Sequence, residues 1–456
     1  MAFNSTINTA RNSLKATTGQ LGIVSQNVVG AQDPNYVRRT SYIESGPRGS
    51  IHLMVRRDGD IHLLNNYLVK SSQAAVAGSI ANGLNRLSNI YGVDEFSRAP
   101  SQLLGDFQKA LQTYANDPQQ RSAGDAAVDR ARDLVYSLNE GNREIEKLRN
   151  DADSDIQDSV DHINDLLRQF HELDQHVVRE RNAGRDDSIY MDQRDAVLKA
   201  LSQEIGINTV YHSDGSMTIY GMDGSTLYDK TPREVTFQSS SSLPAGVAGK
   251  QVFVDGVPLG HPSFVEPNGG GNLGGLLRIR DEIAPQYQKQ LDEMANALMQ
   301  MFPGPPSLFL DDNQPDGVVG PIEGLAGRIR LNSVFDSNTE GGGPEHFGED
   351  LQSLVDAFDQ KRPFGADTGL SPEQSIMDFG KNSIGWLEGL RSDADKDAKY
   401  HSTMFLHASE ALSNGTGVNT DDEMVLMLQL EQTYAATTRI ISTVGKMLDD
   451  LMIAIR

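Results

Sequence analysis

Cysteine is missing altogether from the 456 residues. Disulfides and thiolate metal sites are therefore excluded, while the compartment stays open. Tryptophan occurs once and aromatic residues make up 6% of the chain, so packing must come mainly from Leu, Ile, Val, Ala and Met. Basic residues are outnumbered: 40 Lys and Arg face 63 Asp and Glu, for a formal net charge of −23. Such a chain repels phosphate backbones and anionic headgroups, which argues against nucleic acid or a membrane surface as partner. No run reaches the ~18 apolar residues of a spanning helix, so no membrane insertion is expected. The opening MAFNSTINTARNSLKATTGQ lacks the basic start and continuous apolar core of a secretory signal. Any route out of the cell is expected to work without a cleaved signal.

What is present is concentrated at the two ends. Ile7, Ala10, Leu14, Thr17, Leu21, Val24 and Val28 follow alternating steps of three and four, a heptad seam. A longer seam runs through Met427, Leu430, Tyr434, Thr437, Ile441, Val444, Leu448, Leu451 and Ile455. Thr420 and Glu423 read as a T-x-x-E capping box before it, and Gly415 and Gly417 as breaks in the preceding helix. A lone amphipathic helix is marginal in water, so each seam needs a partner, and the other seam is the nearest candidate. Such seams can be ordinary helical core or intermolecular contacts; their place at both extreme ends favours contacts.

Between the ends the pattern is nested. A turn cluster at 30–36 precedes alternating Ile51, Leu53 and Val55, then Asp58-Gly59, then Ile61 and Leu63, which reads as a β-hairpin near 51–64. Residues from about 67 to 205 read as helical, with a long stretch through Leu134, Leu138, Ile145, Leu148, Ile156, Val160, Ile163, Leu167, Phe170 and Val177. Some ~60 residues of helix span on the order of 90 Å. Residues 206–271 alternate with three Asp-Gly turns and read as a small β domain, with Gly269, Gly270, Gly271, Gly274 and Gly275 as a return linker. A helix over about 276–301, a Pro/Gly/Asp-rich region at 303–349 that reads as loop with one short strand, and helices near 350–360 and 372–412 lead back to the second seam. The expected fold is mainly α with a β-rich insert. Residues 1–30 and 420–456 form a terminal coiled pair, 31–205 and 272–419 a central long-helix bundle, and 206–271 the inserted domain.

Candidate chemistry is thin. His171, Glu172 and His176 approach the zinc-protease pattern, but an i, i+5 spacing splays the rings ~140° apart on a helix. Asp151, Asp153 and Asp155 start like a calcium loop, yet Ile156 stands where Gly belongs and His162 where Glu belongs; a charged helix surface is the plainer reading. The Gly-rich run at 269–275 lacks the phosphate-loop Lys and spacing. Asp192-Gln193-Arg194-Asp195 reads as Asp–Arg pairing that fixes a turn or helix start. No catalytic residue, cofactor or metal site is expected.

Several of these segments together resemble a known family, over nearly the whole chain. Ser25-Gln26-Asn27-Val28 through Tyr36-Val37-Arg38-Arg39 is similar to the N-terminal signature of bacterial flagellar rod, hook and junction proteins. Asn35 stands where that signature has Gly; Asn tolerates a left-handed backbone, so the turn is expected to survive. Met191-Asp192-Gln193-Arg194-Asp195, Gly274-Gly275-Leu276-Leu277 with Arg280-Asp281, and Thr416-Gly417-Val418-Asn419 with Asp421-Asp422-Glu423 resemble segments of the hook-associated protein 1 family of hook–filament junction subunits. Thr420 stands where the family has Leu, and the insert is short. The resemblance implies an extracellular structural subunit of the flagellum, forming a homo-oligomeric ring between hook and filament. Implied partners are the hook protein, a second hook–filament junction protein, and an export chaperone on the C-terminal helix, with export by the flagellar type III apparatus. The assembly interface would be Ile7, Leu14, Leu21, Val24, Val28, Met427, Leu430, Tyr434, Ile441, Val444, Leu448, Leu451 and Ile455. The signature turns would rest on Asn27, Tyr36, Asp192, Arg194, Asp195, Gly417 and Asn419. Other readings are another axial subunit (second junction protein, hook protein or flagellin), a secreted coiled-coil scaffold or adhesin, and an enzyme carried in the β insert.

Overall fold

The two heptad stretches form helices, and the helices pair. The structure, a computed structural model, describes residues 2–45, 51–91, 98–259, 270–315 and 318–454. Helix α1 (Ala2–Gly30) lies along α11 (Thr420–Ala454). On α1 the seam residues Ala10, Thr17 and Val24 are buried, while Ile7, Leu14, Leu21 and Val28 are half-buried. On α11, Thr437 is buried, and Met427, Leu430, Ile441, Val444 and Leu448 are half-buried. Tyr434 is exposed; the side chain of Leu451 and all of Ile455 lie outside the described residues.

The expected hairpin exists, but with a different partner. Strand β1 (Arg39–Ser45) pairs antiparallel with β2 (Ile51–Arg57), from Arg39 opposite Arg57 to Ser45 opposite Ile51. Residues 61–63 are not a strand. They open α2 (Ile61–Ser88), because the Asp60 side chain accepts from the backbone N–H groups of His62 and Leu63 and caps the helix. Two alternating residues were too few to outweigh that cap and the Leu64 and Leu68 spacing behind it.

Helices α3 (Pro100–Asn116), α4 (Arg121–Asn182) and α5 (Ser188–Glu204) follow. At 62 residues, α4 spans about 93 Å. Its apolar residues serve two cores in succession. Leu134, Leu138, Ile145 and Leu148 pack with α2, α3, and the later helices α7 (Ala284–Met301) and α10 (Ile376–Thr416). Ile156, Val160, Ile163, Leu167 and Phe170 pack with the start of α2, with α5, and with the insert.

The insert holds two antiparallel sheets. One has the order β3 (Ile207–Tyr211), β4 (Met217–Gly221), β5 (Thr226–Asp229), β6 (Thr231–Pro232). The other is β7 (Val235–Thr236), β8 (Phe253–Val254), β9 (Val257–Pro258). The return is not a linker from Gly271 onward. Helix α6 (Gly271–Arg278) begins there and continues through a π-helical turn at Ile279–Ile283 into α7 (Ala284–Met301). Its glycines permit close approach: a Cβ at Gly275 would lie 2.6 Å from Ser79 Cβ, and one at Gly271 2.5 Å from the Glu204 carbonyl oxygen. Gly269 lies outside the described residues.

Residues 303–349 contain more order than a loop. Strand β10 (Phe309–Asp311) pairs with β11 (Ile329–Leu331) across the short α8 (Leu325–Arg328). Helix α9 (Leu351–Asp356) and the pair β12 (Arg362–Pro363) and β13 (Glu373–Gln374) lead to α10 (Ile376–Thr416), which packs along α2. Gly415 lies inside α10, and the break falls at Gly417.

Candidate functional site at the joint of the terminal helices

The base of the hairpin places two arginines face to face, Arg39 on β1 and Arg57 on β2. Like charges directly opposite on a ribbon repel, and both side chains are almost fully buried. The first turns of α5 supply the counter-charge. Asp192 accepts from Arg39 Nη2 at 3.0 Å and from Arg57 Nε at 2.7 Å, and Asp195 accepts from Arg57 Nη2 at 2.6 Å. Burial pushes the Asp192 carboxyl above its usual range, with Arg57 and Arg39 pulling against it. The Asp–Arg pairing expected inside the D-Q-R-D segment is therefore long-range, joining α5 to the hairpin. Arg194 points the other way, donating to Asp174 at 2.7 Å and to the Gly215 carbonyl at 2.8 Å inside the core.

Asn27 ties the remaining pieces. Its Nδ2 donates to the Arg39 carbonyl at 2.8 Å and to Glu423 at 3.0 Å; its Oδ1 accepts from the Arg39 N–H at 3.1 Å and the Tyr36 hydroxyl at 2.9 Å. The Arg39 guanidinium sits over the Tyr36 ring, 4.8 Å from its centre. Burial raises the Tyr36 phenol, against the pull of Arg39. Asn35 is not left-handed, since Lys230 and Asp255 are the non-glycine residues with positive φ among those described. Its side chain accepts from Lys199 Nζ at 3.2 Å.

Glu423 overturns the expected capping box. It is fully buried and accepts from Asn27 and, at 2.8 Å, from Arg38 Nε, so it does not reach back to its own helix start. Asn419 caps α11 instead, accepting from the Asp421 N–H at 3.0 Å. Gly417 is extended and donates its N–H to the Ser413 carbonyl at 2.8 Å, while Arg38 N–H donates to the Thr416 carbonyl at 2.8 Å. Asn27, Tyr36, Asp192, Asp195, Gly417 and Asn419 thus meet around one joint. Arg57 was missed by sequence reasoning, and Arg38 and Arg39 were read as part of the signature without a role of their own. The basic doublets Arg38-Arg39 and Arg56-Arg57 in so acidic a chain were the available signal.

The other polar motifs are structural. Asp153 is not on a charged surface. It is buried, accepting from Arg280 Nη1 at 2.6 Å and the Ser240 N–H at 2.6 Å. Buried Arg149 donates to the carbonyls of Arg280, Leu243, Pro244 and Val247. His171 contacts the Tyr228 hydroxyl at 3.2 Å, and His176 stacks on Tyr190. Among the described residues no group of three or more His, Asp or Glu is placed to hold a metal ion, and no helix is long and apolar enough to cross a membrane.

Residues 84–303 match the family model of the flagellar hook-associated protein FlgK helical domain, and residues 409–453 match that of the flagellar basal body rod FlgEFG protein C-terminal segment. Flagellar hook-associated protein 1 of Bacillus subtilis is 20% identical, over 98% of this chain and 97% of its own. The Escherichia coli protein of the same name is 23% identical, over 66% of this chain and 56% of its own. The chain thus spans nearly all of the first relative and about half of the second. A solved structure of the flagellar hook junction protein FlgK from Burkholderia pseudomallei aligns over 54% of this chain and 44% of its own, at 21% identity and a TM-score of 0.44. The helical-domain match and the rod-type C-terminal match both point to a flagellar axial protein. Within that class the chain resembles the flagellar hook-associated protein 1 family, whose helical-domain model it matches over residues 84–303.

Proposed function

We propose that this chain is a structural, non-catalytic subunit of the flagellar hook–filament junction, where its terminal helices pack into a helical lattice. The observation that carries this is an apolar stripe beside the α11 seam that α1 does not cover. Leu426, Ile440 and Met447 sit at heptad spacing and are 36%, 50% and 51% exposed. A seam with a second apolar stripe beside it suits a helix that meets more than one neighbour. In this reading 1–30 with 420–456 form the inner layer of a ring of identical subunits, 31–205 with 272–419 its body, and 206–271 its outer face. Partners are other copies, the hook protein and the second junction protein. An export chaperone would cover α11 before assembly, because exposed apolar stripes aggregate.

Deleting the gene and imaging cells by electron microscopy tests the role. Bare hooks, filament protein lost to the medium and rescue by the intact gene are expected; normal filaments on the deleted strain would refute it. Ile440→Asp with Met447→Asp alters exposed positions, so the chain should fold normally yet fail to enter the junction.

A further inference from the structure

We infer that the Asp255–Gly256 turn of the insert is a site of spontaneous backbone modification, where the aspartyl bond closes to a succinimide and reopens as isoaspartate. This concerns the purified chain and does not rest on the junction reading.

The reaction needs water and nothing else. The Gly256 amide nitrogen attacks Cγ of Asp255 in its neutral carboxyl form. A C–N bond forms and a C–O bond breaks. The amide proton and the departing hydroxyl leave as water, and a cyclic imide remains. Water then adds to one of the two imide carbonyls. Cleavage at the side-chain carbonyl restores aspartate. Cleavage at the main-chain carbonyl leaves the chain running through Cγ, with a free α-carboxylate, and the sum is an isomerisation. Glycine after the aspartate hinders the attack least, because it has no Cβ.

The insert carries its own comparison. Asp214-Gly215-Ser216, Asp223-Gly224-Ser225 and Asp255-Gly256-Val257 share the reactive pair and differ in the next residue. The first two are locked. Asp214 Oδ1 accepts from the Ser216 N–H at 3.0 Å and its hydroxyl at 2.6 Å, while the Gly215 N–H donates to the His212 carbonyl at 3.1 Å. The Ser216 bonds also hold the Asp214 carboxyl below its usual range, in the charged form that does not react. Asp223 is buried, and its Oδ1 accepts from the Ser225 N–H at 3.0 Å and hydroxyl at 2.6 Å. The Gly224 N–H donates to the Gly221 carbonyl at 2.9 Å. In both turns the carboxyl and the attacking nitrogen are each engaged elsewhere.

The third turn has neither lock. Val257 brings no hydroxyl. The Asp255 carboxylate meets Arg233 Nη1 at 3.2 Å, with the two side chains 61% and 40% exposed, and such surface pairs hold weakly. Among the described residues no acceptor is bonded to the Gly256 N–H. A Cβ at Gly256 would meet nothing, so the peptide can rotate toward the carboxyl without collision. Asp255 itself lies at φ 51°, a left-handed backbone that strains a residue with a side chain. Asp255 and Gly256 are the two central residues of the β8–β9 hairpin, whose register sets Val254 opposite Val257 and Phe253 opposite Pro258. An isoaspartyl link adds a methylene to that tight turn, so the register is lost and the β8–β9 pair opens.

The full chain, incubated for weeks at body temperature and mildly acid pH, tests this. After digestion, electron-transfer fragmentation distinguishes isoaspartate from aspartate at each site separately. Isoaspartate is expected at Asp255 on the order of tenfold above Asp214 and Asp223. In concentrated urea no fold separates the three, and they should react alike. Equal accumulation in the folded chain, or a lag at Asp255, overturns the inference. Ser216→Ala, on an exposed turn, should raise isoaspartate at Asp214 severalfold and leave Asp255 unchanged; no rise at Asp214 would overturn the account of the locks. Chain carrying the isoaspartate, separated by chromatography, should exchange its amides faster over 253–258 with α4 unchanged. Unaltered exchange there would show that the turn absorbs the methylene, against the inference.

Discussion

Glu423→Ala isolates the contact between α11 and α1. The carboxylate is fully buried and accepts one hydrogen bond from Asn27 Nδ2 at 3.0 Å and one from Arg38 Nε at 2.8 Å. A hydrogen bond to a charged group contributes about 1.5–3 kcal/mol. The two bonds differ in setting. Arg38 is 35% exposed and also faces Asp58 at 3.6 Å, so water and Asp58 replace most of what it loses, and its share is about 0.5 kcal/mol. Asn27 is buried; one N–H of its Nδ2 keeps the Arg39 carbonyl while the other loses its acceptor, and its share is about 1.5 kcal/mol. The sum, about 2 kcal/mol, corresponds to roughly thirtyfold more frequent local opening. Hydrogen exchange should show that acceleration in the first turns of α11 and around Asn27, with the central helices unchanged. Glu423→Gln should fall between, since it keeps an acceptor and loses the charge. If Thr420 and Glu423 instead worked as a capping box, Thr420→Ala would match Glu423→Ala and Asn27 would be unaffected. That result, or unchanged exchange in Glu423→Ala, would refute the reasoning.

Arg149→Met should destabilise the chain by about 3 kcal/mol in urea unfolding, because it leaves carbonyls of Leu243, Pro244, Val247 and Arg280 without their donor; a change below about 0.5 kcal/mol would contradict this. Gly275→Val should separate α6 from α2, since even a Cβ there lies 3.0 Å from the Val76 carbonyl, and the melting temperature should drop by several degrees. Asp292 supplies the pH test. Burial raises its pKa to about 6, against hydrogen bonds from the Ala326 and Gly324 backbone, from Gln288, and the charge of Arg328. An unfolded Asp titrates near ~3.9, so between roughly pH 4 and 6 the folded chain holds a proton that the unfolded chain has released. This group's contribution therefore falls as pH rises through that window, by at most about 3 kcal/mol. Asp292→Asn should lose that slope, seen as a wild-type-minus-variant difference in urea midpoint that shrinks from pH 4 to pH 7; a difference that grows would refute it.

The helices were legible because their signals repeat. A seam of seven or nine positions, or ten buried apolar residues along α4, outweighs any single misleading residue. The errors fall where a short pattern has two physical meanings. Ile61 and Leu63 alternate like a strand, but a cap at Asp60 decides the matter. Thr420 and Glu423 have capping-box spacing, yet a partner 396 residues away at Asn27 claims the carboxylate. Glycine serves both flexibility and close approach, so the run at 269–275 reads as linker while Gly275 is a packing contact against α2. Arg149 could not be found at all, because its partners are carbonyls, which no side-chain spacing encodes. At the joint the sequence showed the acidic half, Asp192 and Asp195, and the basic half stood in view as two Arg doublets. Their meeting depends on a hairpin register that pairs 39 with 57, and the misread hairpin hid it.

The distribution of apolar burial explains why the ends and the body should behave differently. Helix α4 contributes side chains to both cores and carries buried charged groups, Asp153 and Arg149 among them, that reach the π turn and the insert. Loosening any part of the body therefore exposes core elsewhere, and cooperative unfolding is expected. The terminal pair has half-buried seams, a stripe left open on α11, and a polar footing. Little apolar burial holds it to the body, so its order depends on directional bonds whose loss costs a few kcal/mol. Further neighbours that cover Leu426, Ile440 and Met447 would add the apolar burial that the isolated chain lacks there, at about 25 cal/mol per Å² removed from water. The same stripes that make the free ends prone to aggregate would then stabilise them in an assembly. The body, whose two cores close within the chain, would need no such help.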